Sequence, residues 1–122
     1  MDKRTEQVRD KIISLIEDKQ GKDITCLDIR ELSNYTDFFI ICHTDIEKQS
    51  QTIAQYIEKN LREELKIKPL GIEGMESGKW ILMDYIDIIC HIFTQESREY
   101  YNLEQLWAGG KVLDINLEKT LP

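Results

Sequence analysis

The sequence predicts one α/β domain built on a mixed β-sheet of about five strands flanked by helices. Three observations predict it. Two stretches carry apolar residues at helical spacing, several short runs carry strand-forming residues, and the two kinds are interleaved with clear turn signals. The order read along the chain is helix, two strands, helix, three strands and a short helix.

The first helix covers residues 5–19, where Val8, Ile12, Leu15 and Ile16 recur at helical spacing and Gln20-Gly21 supplies the stop. A short strand follows over residues 24–29, and Ser33-Asn34 marks a turn. Residues 37–43 are apolar on both alternating faces, which suits a central strand covered on two sides. Thr44-Asp45-Ile46-Glu47 has the form of a capping box. The helix behind it carries Ile46, Ile53, Ile57, Leu61 and Leu65 on one stripe, ends in the basic segment 66–68 and is closed off by Pro69. Residues 70–73 read as a short strand and residues 74–78 as a loop. The apolar runs 80–84 and 87–93 are close enough to form a hairpin. Residues 97–107 read as helix or turn, Gly109-Gly110 breaks them, and residues 111–122 form a C-terminal tail.

Length and composition narrow the function classes. A chain of 122 residues, 41% hydrophobic and 32% charged, fits a single globular domain over residues 1–122. No apolar run approaches the length of a membrane span, and the charged start Met1-Asp2-Lys3-Arg4 is unlike a signal peptide, so a cytoplasmic protein is expected. The formal net charge of −7 argues against direct, phosphate-led nucleic-acid readout, while an acidic domain remains well suited to a basic protein partner. The three cysteines, Cys26, Cys42 and Cys90, all lie in apolar strand-like runs and are read as buried thiols.

The hairpin carries the functional signal. A two-residue turn at Tyr85-Ile86 would pair Asp84 with Asp87 and Trp80 with His91. One face then holds Ile81, Met83, Ile88, Cys90 and Ile92, wholly apolar and therefore core. The other holds Trp80, Leu82, Asp84, Asp87, Ile89, His91 and Phe93. Two acids and an imidazole are out of place in a second core, and four large apolar side chains are out of place on a solvated face. The mixture suits a protein-binding surface. The alternative is a face covered by a helix or by the tail. Ile86 is awkward in such a turn, because the favoured two-residue turns require positive φ.

Several stretches resemble the iojap-like ribosomal silencing factors. They are Leu32-Ser33-Asn34-Tyr35-Thr36-Asp37-Phe38-Phe39-Ile40, then Ile72-Glu73-Gly74, then Gly78-Lys79-Trp80-Ile81-Leu82-Met83-Asp84-Tyr85 and Asp87-Ile88-Ile89-Cys90-His91-Ile92-Phe93. Arg98, Tyr101, Leu103-Glu104 and Leu106-Trp107 follow in the same order, so the match spans residues 23–107. The resemblance implies a non-enzymatic protein that binds a large-subunit ribosomal protein at the intersubunit face, blocks association with the small subunit and represses translation. It also implies a nucleotidyltransferase-like core without catalytic motifs, and a possible homodimer. The ribosomal contact is expected at Trp80, Leu82, Asp84, Asp87 and His91, extended by Tyr85 at the tip and by Tyr100, Glu104 and Trp107. Trp80 is the expected anchor. The chain departs from the family where Ile86 stands in place of the usual Gly. It departs again at His43-Thr44 and Lys48, where the family has Ser-Gly and Arg.

Other chemistries are weighed on the same residues. Cys42-His43 and Cys90-His91 suggest zinc, but neighbours on a strand point to opposite faces, which splits each pair. No metal or other cofactor is expected. A metal-dependent nucleotidyltransferase-like enzyme would need a Gly-Ser loop and converging carboxylates, whereas Asp84 and Asp87 flank a turn. A dimeric adaptor with no ribosomal role is the other alternative. His91 has no nucleophile beside it and is read as a binding histidine or one satisfied by Asp84 or Asp87.

Overall fold

The computed structural model describes residues 3–113, so the tail reading for residues 114–122 lies outside the described residues. Helix α1 (Lys3–Asp18) leads into strands β1 (Lys22–Asp28) and β2 (Phe38–Thr44). Helix α2 (Glu47–Asn60) continues through a π-helical turn (Leu61–Leu65). Strands β3 (Gly71–Glu73), β4 (Trp80–Asp84) and β5 (Ile88–Thr94) precede two short helices, α3 (Gln95–Tyr101) and α4 (Leu103–Leu106). A sixth strand, β6 (Lys111–Leu113), comes from the start of the expected tail and raises the strand number above five. The sheet order is β3-β4-β5-β2-β1-β6. It is mixed, because β2 and β5 run parallel while the other neighbours are antiparallel. Among the described residues no helix is long and apolar enough to cross a membrane.

Strand β2 is buried at every residue, as its two-faced apolar pattern requires. Helices α1 and α2 cover one face of the sheet. There Val8, Ile12, Ile16, Ile53, Ile57 and Leu61 pack on Phe38, Ile40, Ile81, Met83, Ile88 and Ile92. Cys26, Cys42 and Cys90 are buried in this same layer with no disulfide among them, and burial pushes the Cys42 thiol up to about 12. Helix α1 stops where Gln20, not Gly21, takes the left-handed conformation, at φ 63°. Gly21 is required for space, since a Cβ there would collide with Ile16 Cγ2.

Two details of α2 differ from the sequence reading. The capping box does not form. Thr44 ends β2, its hydroxyl donates to the Ile46 carbonyl (2.9 Å) and pairs with Ser50 Oγ (2.7 Å), and the helix begins at Glu47 without a side-chain cap. Ile46, expected on the core stripe, is 56% exposed, because it sits at the N-cap before the helical periodicity starts.

The hairpin register is also corrected. Asp84 pairs with Ile89, Met83 with Cys90, Leu82 with His91, Ile81 with Ile92 and Trp80 with Phe93. The partner strand is displaced by two residues from the expected pairing. Because side chains alternate with period two, an even shift leaves every residue paired between β4 and β5 on its expected face, whereas a shift of one would have inverted them all. The turn moves to Ile86-Asp87. The Tyr85 N–H donates to the Ile88 carbonyl (2.8 Å) and the Asp87 N–H to the Tyr85 carbonyl (2.9 Å). Ile86 adopts φ 72°, a conformation that costs a β-branched residue about 1–2 kcal/mol. Asp84 Oδ1 holds the turn by accepting the Ile86 N–H at 2.8 Å.

Candidate protein-binding face

The sheet face opposite α1 and α2 is half covered. Leu103 is buried there with Leu27, Ile29, Phe39, Ile41 and Phe93, and Trp80, Ile89 and Trp107 pack against that cluster. The face is thus covered over one half of the sheet and open over the other. Leu103 and Trp107 of the α3–α4 segment close over β1 and β2. Trp80, Leu82, Asp84 and Ile89 on β4 and β5 stay half-buried and reachable.

Trp80 stands at the boundary. Its ring stacks on Phe93 (centroids 5.0 Å, 27°) and leans on Tyr101 (4.8 Å, 46°). Its Nε1 donates to His91 Nδ1 at 3.1 Å. In the neutral ring that bond places the His91 proton on Nε2. His91 is buried, with Phe39 edge-on at 4.8 Å, and burial pushes its pKa down to about 4. The imidazole is therefore neutral near pH 7 and acts as a fixed acceptor that orients the indole. Neither Asp84 nor Asp87 satisfies it, contrary to the sequence reading. Asp84 Oδ1 takes the Ile86 N–H, and Asp87 Oδ2 accepts from Thr5 Oγ1 of α1 at 3.4 Å.

The nine expected contact residues therefore separate. Trp80, Leu82, Asp84 and His91 share the face, with His91 beneath its surface. Trp107 joins them by packing edge-on against Phe39 (5.1 Å), and Tyr100, 81% exposed, stands edge-on to Tyr101 (5.0 Å). Glu104 is engaged in an internal ion pair with Arg98. Tyr85 and Asp87 are not on this face. Tyr85 is buried in the helix-side core, and Asp87 reaches α1, because the displaced turn directs both to that side. Burial also raises the Tyr85 phenol, which stays protonated.

Arg98, which the sequence marks only through the family resemblance, takes a structural role. Its Nε and Nη2 donate to the two Glu104 oxygens (2.9 and 3.1 Å). Nη1 donates to the Asp23 carbonyl (2.7 Å) and meets His43 Nδ1 (3.0 Å), and Nη2 donates to Thr25 Oγ1 (3.2 Å). One guanidinium thus ties α3 to α4, to β1 and to β2. Helices of seven and four residues do not persist alone, and the left-handed Asn102 (φ 47°) separates them. Arg98, together with Leu103 and Trp107, holds them on the sheet. Its partners are scattered from Asp23 to Glu104, so no local pattern announces the cluster. Burial and the neighbouring Arg98 charge push the His43 pKa down, which keeps Nδ1 available as acceptor.

The arrangement orders aromatic rings and fixes their tilt, with His91 contacting Trp80, Phe39 and Phe93. Among the described residues no three His, Cys, Asp or Glu side chains are grouped to hold a metal ion.

Residues 2–121 match the family model described as "Ribosomal silencing factor during starvation". A ribosomal silencing factor of Bacillus subtilis is 38% identical over 82% of this chain and 84% of its own length. One from Halalkalibacterium halodurans is 36% identical over 84% of this chain and 87% of its own. The crystal structure of a Chromobacterium violaceum protein superposes with a TM-score of 0.81 at 32% identity, covering 89% of each chain.

Proposed function

The chain belongs to the iojap-like family of ribosomal silencing factors, and from that membership we propose that it docks on a basic protein of the large ribosomal subunit through the open half of its second sheet face. Docked at the side that meets the small subunit, it obstructs subunit joining by occupying space, and translation falls. The protein acts in the cytoplasm, as a regulator and not as an enzyme.

One observation carries this reading. Trp80 is half-buried, wedged between Phe93 and Tyr101, and locked by His91, with Leu82 and Asp84 beside it. A rigid aromatic group with apolar and acidic neighbours is the composition of an interface anchor. The net charge of −7 favours encounter with a basic partner. Tyr100 and Leu106, on the outer side of α3–α4, are 81% and 76% exposed and would serve a second copy of the chain.

Co-sedimentation with purified large and small subunits tests the reading. Wild type should pellet with the large subunit alone. Trp80→Ala should lose more than ~2 kcal/mol of that binding. Leu82→Ser, which leaves the Trp80–His91 bond intact, should weaken binding while the protein stays folded. Pelleting with neither subunit would overturn the docking reading. Undiminished binding by both variants would move the contact to another surface.

A further inference from the structure

We propose that Ile86 forms an apolar prong at the hairpin tip that contacts the same ribosomal partner beyond the Trp80–Asp84 face. The inference rests on the docking reading above and adds a specificity-determining residue to it.

Ile86 is in the wrong conformation for its side chain. At φ 72° a β-branched residue is strained, and glycine or asparagine is the ordinary occupant of such a turn. The side chain does not recover that cost by packing in its own fold, since Ile86 is 59% exposed. The Leu70 N–H donates to the Asp84 carbonyl at 2.7 Å, which extends the β3–β4 pairing past Gly71↔Asp84 toward the tip. Asp84 then links the tip to the docking face. Its side chain leaves β4 on the same side as Leu82 and Trp80, and its Oδ1 takes the Ile86 N–H. Ile86 is therefore held at the rim of that face, apart from the helix-side core that takes Tyr85.

Strain without internal compensation, rigid anchoring and exposed apolar area point to use in an intermolecular contact. The partner surface that fits is an apolar patch beside the basic group facing Asp84. Ile86 is a contact residue, not a stabiliser of the fold.

The test sets stability against binding. Thermal unfolding and the affinity for purified large subunits are measured for wild type, Ile86→Gly, Ile86→Asn and Ile86→Val. Gly and Asn accept positive φ, so both variants should unfold at or above the wild-type temperature. Their affinity for the large subunit should nevertheless fall about five- to tenfold. Ile86→Val, apolar and equally strained, should stay within about twofold of wild type. Wild-type affinity in the Gly and Asn variants overturns the proposal and makes Ile86 a tolerated strain. A lower unfolding temperature for both also overturns it, because Ile86 would then be packing in its own fold. If folded wild type does not pellet with the large subunit at all, the docking reading itself fails and takes this inference with it.

Discussion

The two faces of the sheet are made by the same strands and differ in almost every physical respect. The face under α1 and α2 is aliphatic and thiol-rich, and Ile40, Ile81, Met83 and Cys90 in it are wholly buried. The opposite face is aromatic, contains His43 and His91, and is closed over only part of its area by Leu103 and Trp107. Ile81 and Met83 face one way, and Leu82 between them faces the other. Alternation lets adjacent residues answer to different demands, the first layer to folding and the second, on the docking proposal, to recognition. The second layer still has to be ordered, and polar groups do that work: Trp80 to His91, and Arg98 to Glu104, Thr25 and His43.

The sharpest separation comes from the aliphatic face. Ile40→Ala should destabilise the protein by about 2–5 kcal/mol, read from urea unfolding. Any loss of ribosome binding should follow only from the unfolded fraction. A variant that stays folded and fails to bind would break the division between the faces.

The second prediction concerns pH and the aromatic face. His91 has a folded pKa of about 4 against an ordinary value of 6.5. The unfolded chain therefore binds the proton more readily. The stability contributed by neutral His91 is complete above pH 6.5 and is lost as pH falls toward 4, up to about 3 kcal/mol. His43, lowered in the same direction, adds to the same slope. Urea midpoints at pH 7 and pH 5 should show the fall, and His91→Asn should flatten it. An unchanged wild-type midpoint would mean that the face does not hold the imidazole neutral.

The third effect is smaller and local. Arg98→Ala removes six hydrogen bonds to α4, β1 and β2 and should cost about 1–3 kcal/mol. Amide exchange should accelerate over residues 95–107 and leave α1 and α2 protected. Lysine cannot reproduce the two-pronged contact with Glu104, so Arg98→Lys should not restore protection. Acceleration spread over the whole chain would mean that the clamp belongs to the core and not to the covering segment.

Much of this was legible in the residues alone. The apolar stripe of α1, the two-faced burial of β2, the opposite orientations of Ile81 and Leu82, and the mixed character of the second face all follow from periodicity, which is a local property of the chain. The family resemblance was legible too, because its motifs are contiguous. Tertiary structure decided the rest. It displaced the hairpin by two residues and moved the turn to Ile86-Asp87, which sent Tyr85 into the helix-side core and Asp87 to Thr5. It replaced the capping box with a Thr44–Ser50 contact and gave His91 to Trp80 in place of an aspartate. It also chose which half of the second face α3 and α4 would cover, through Arg98 and partners as distant as Asp23. Alternation fixes the side of a sheet on which a residue stands. What that residue meets there depends on register and on segments far along the chain, and those are settled only when the whole domain packs.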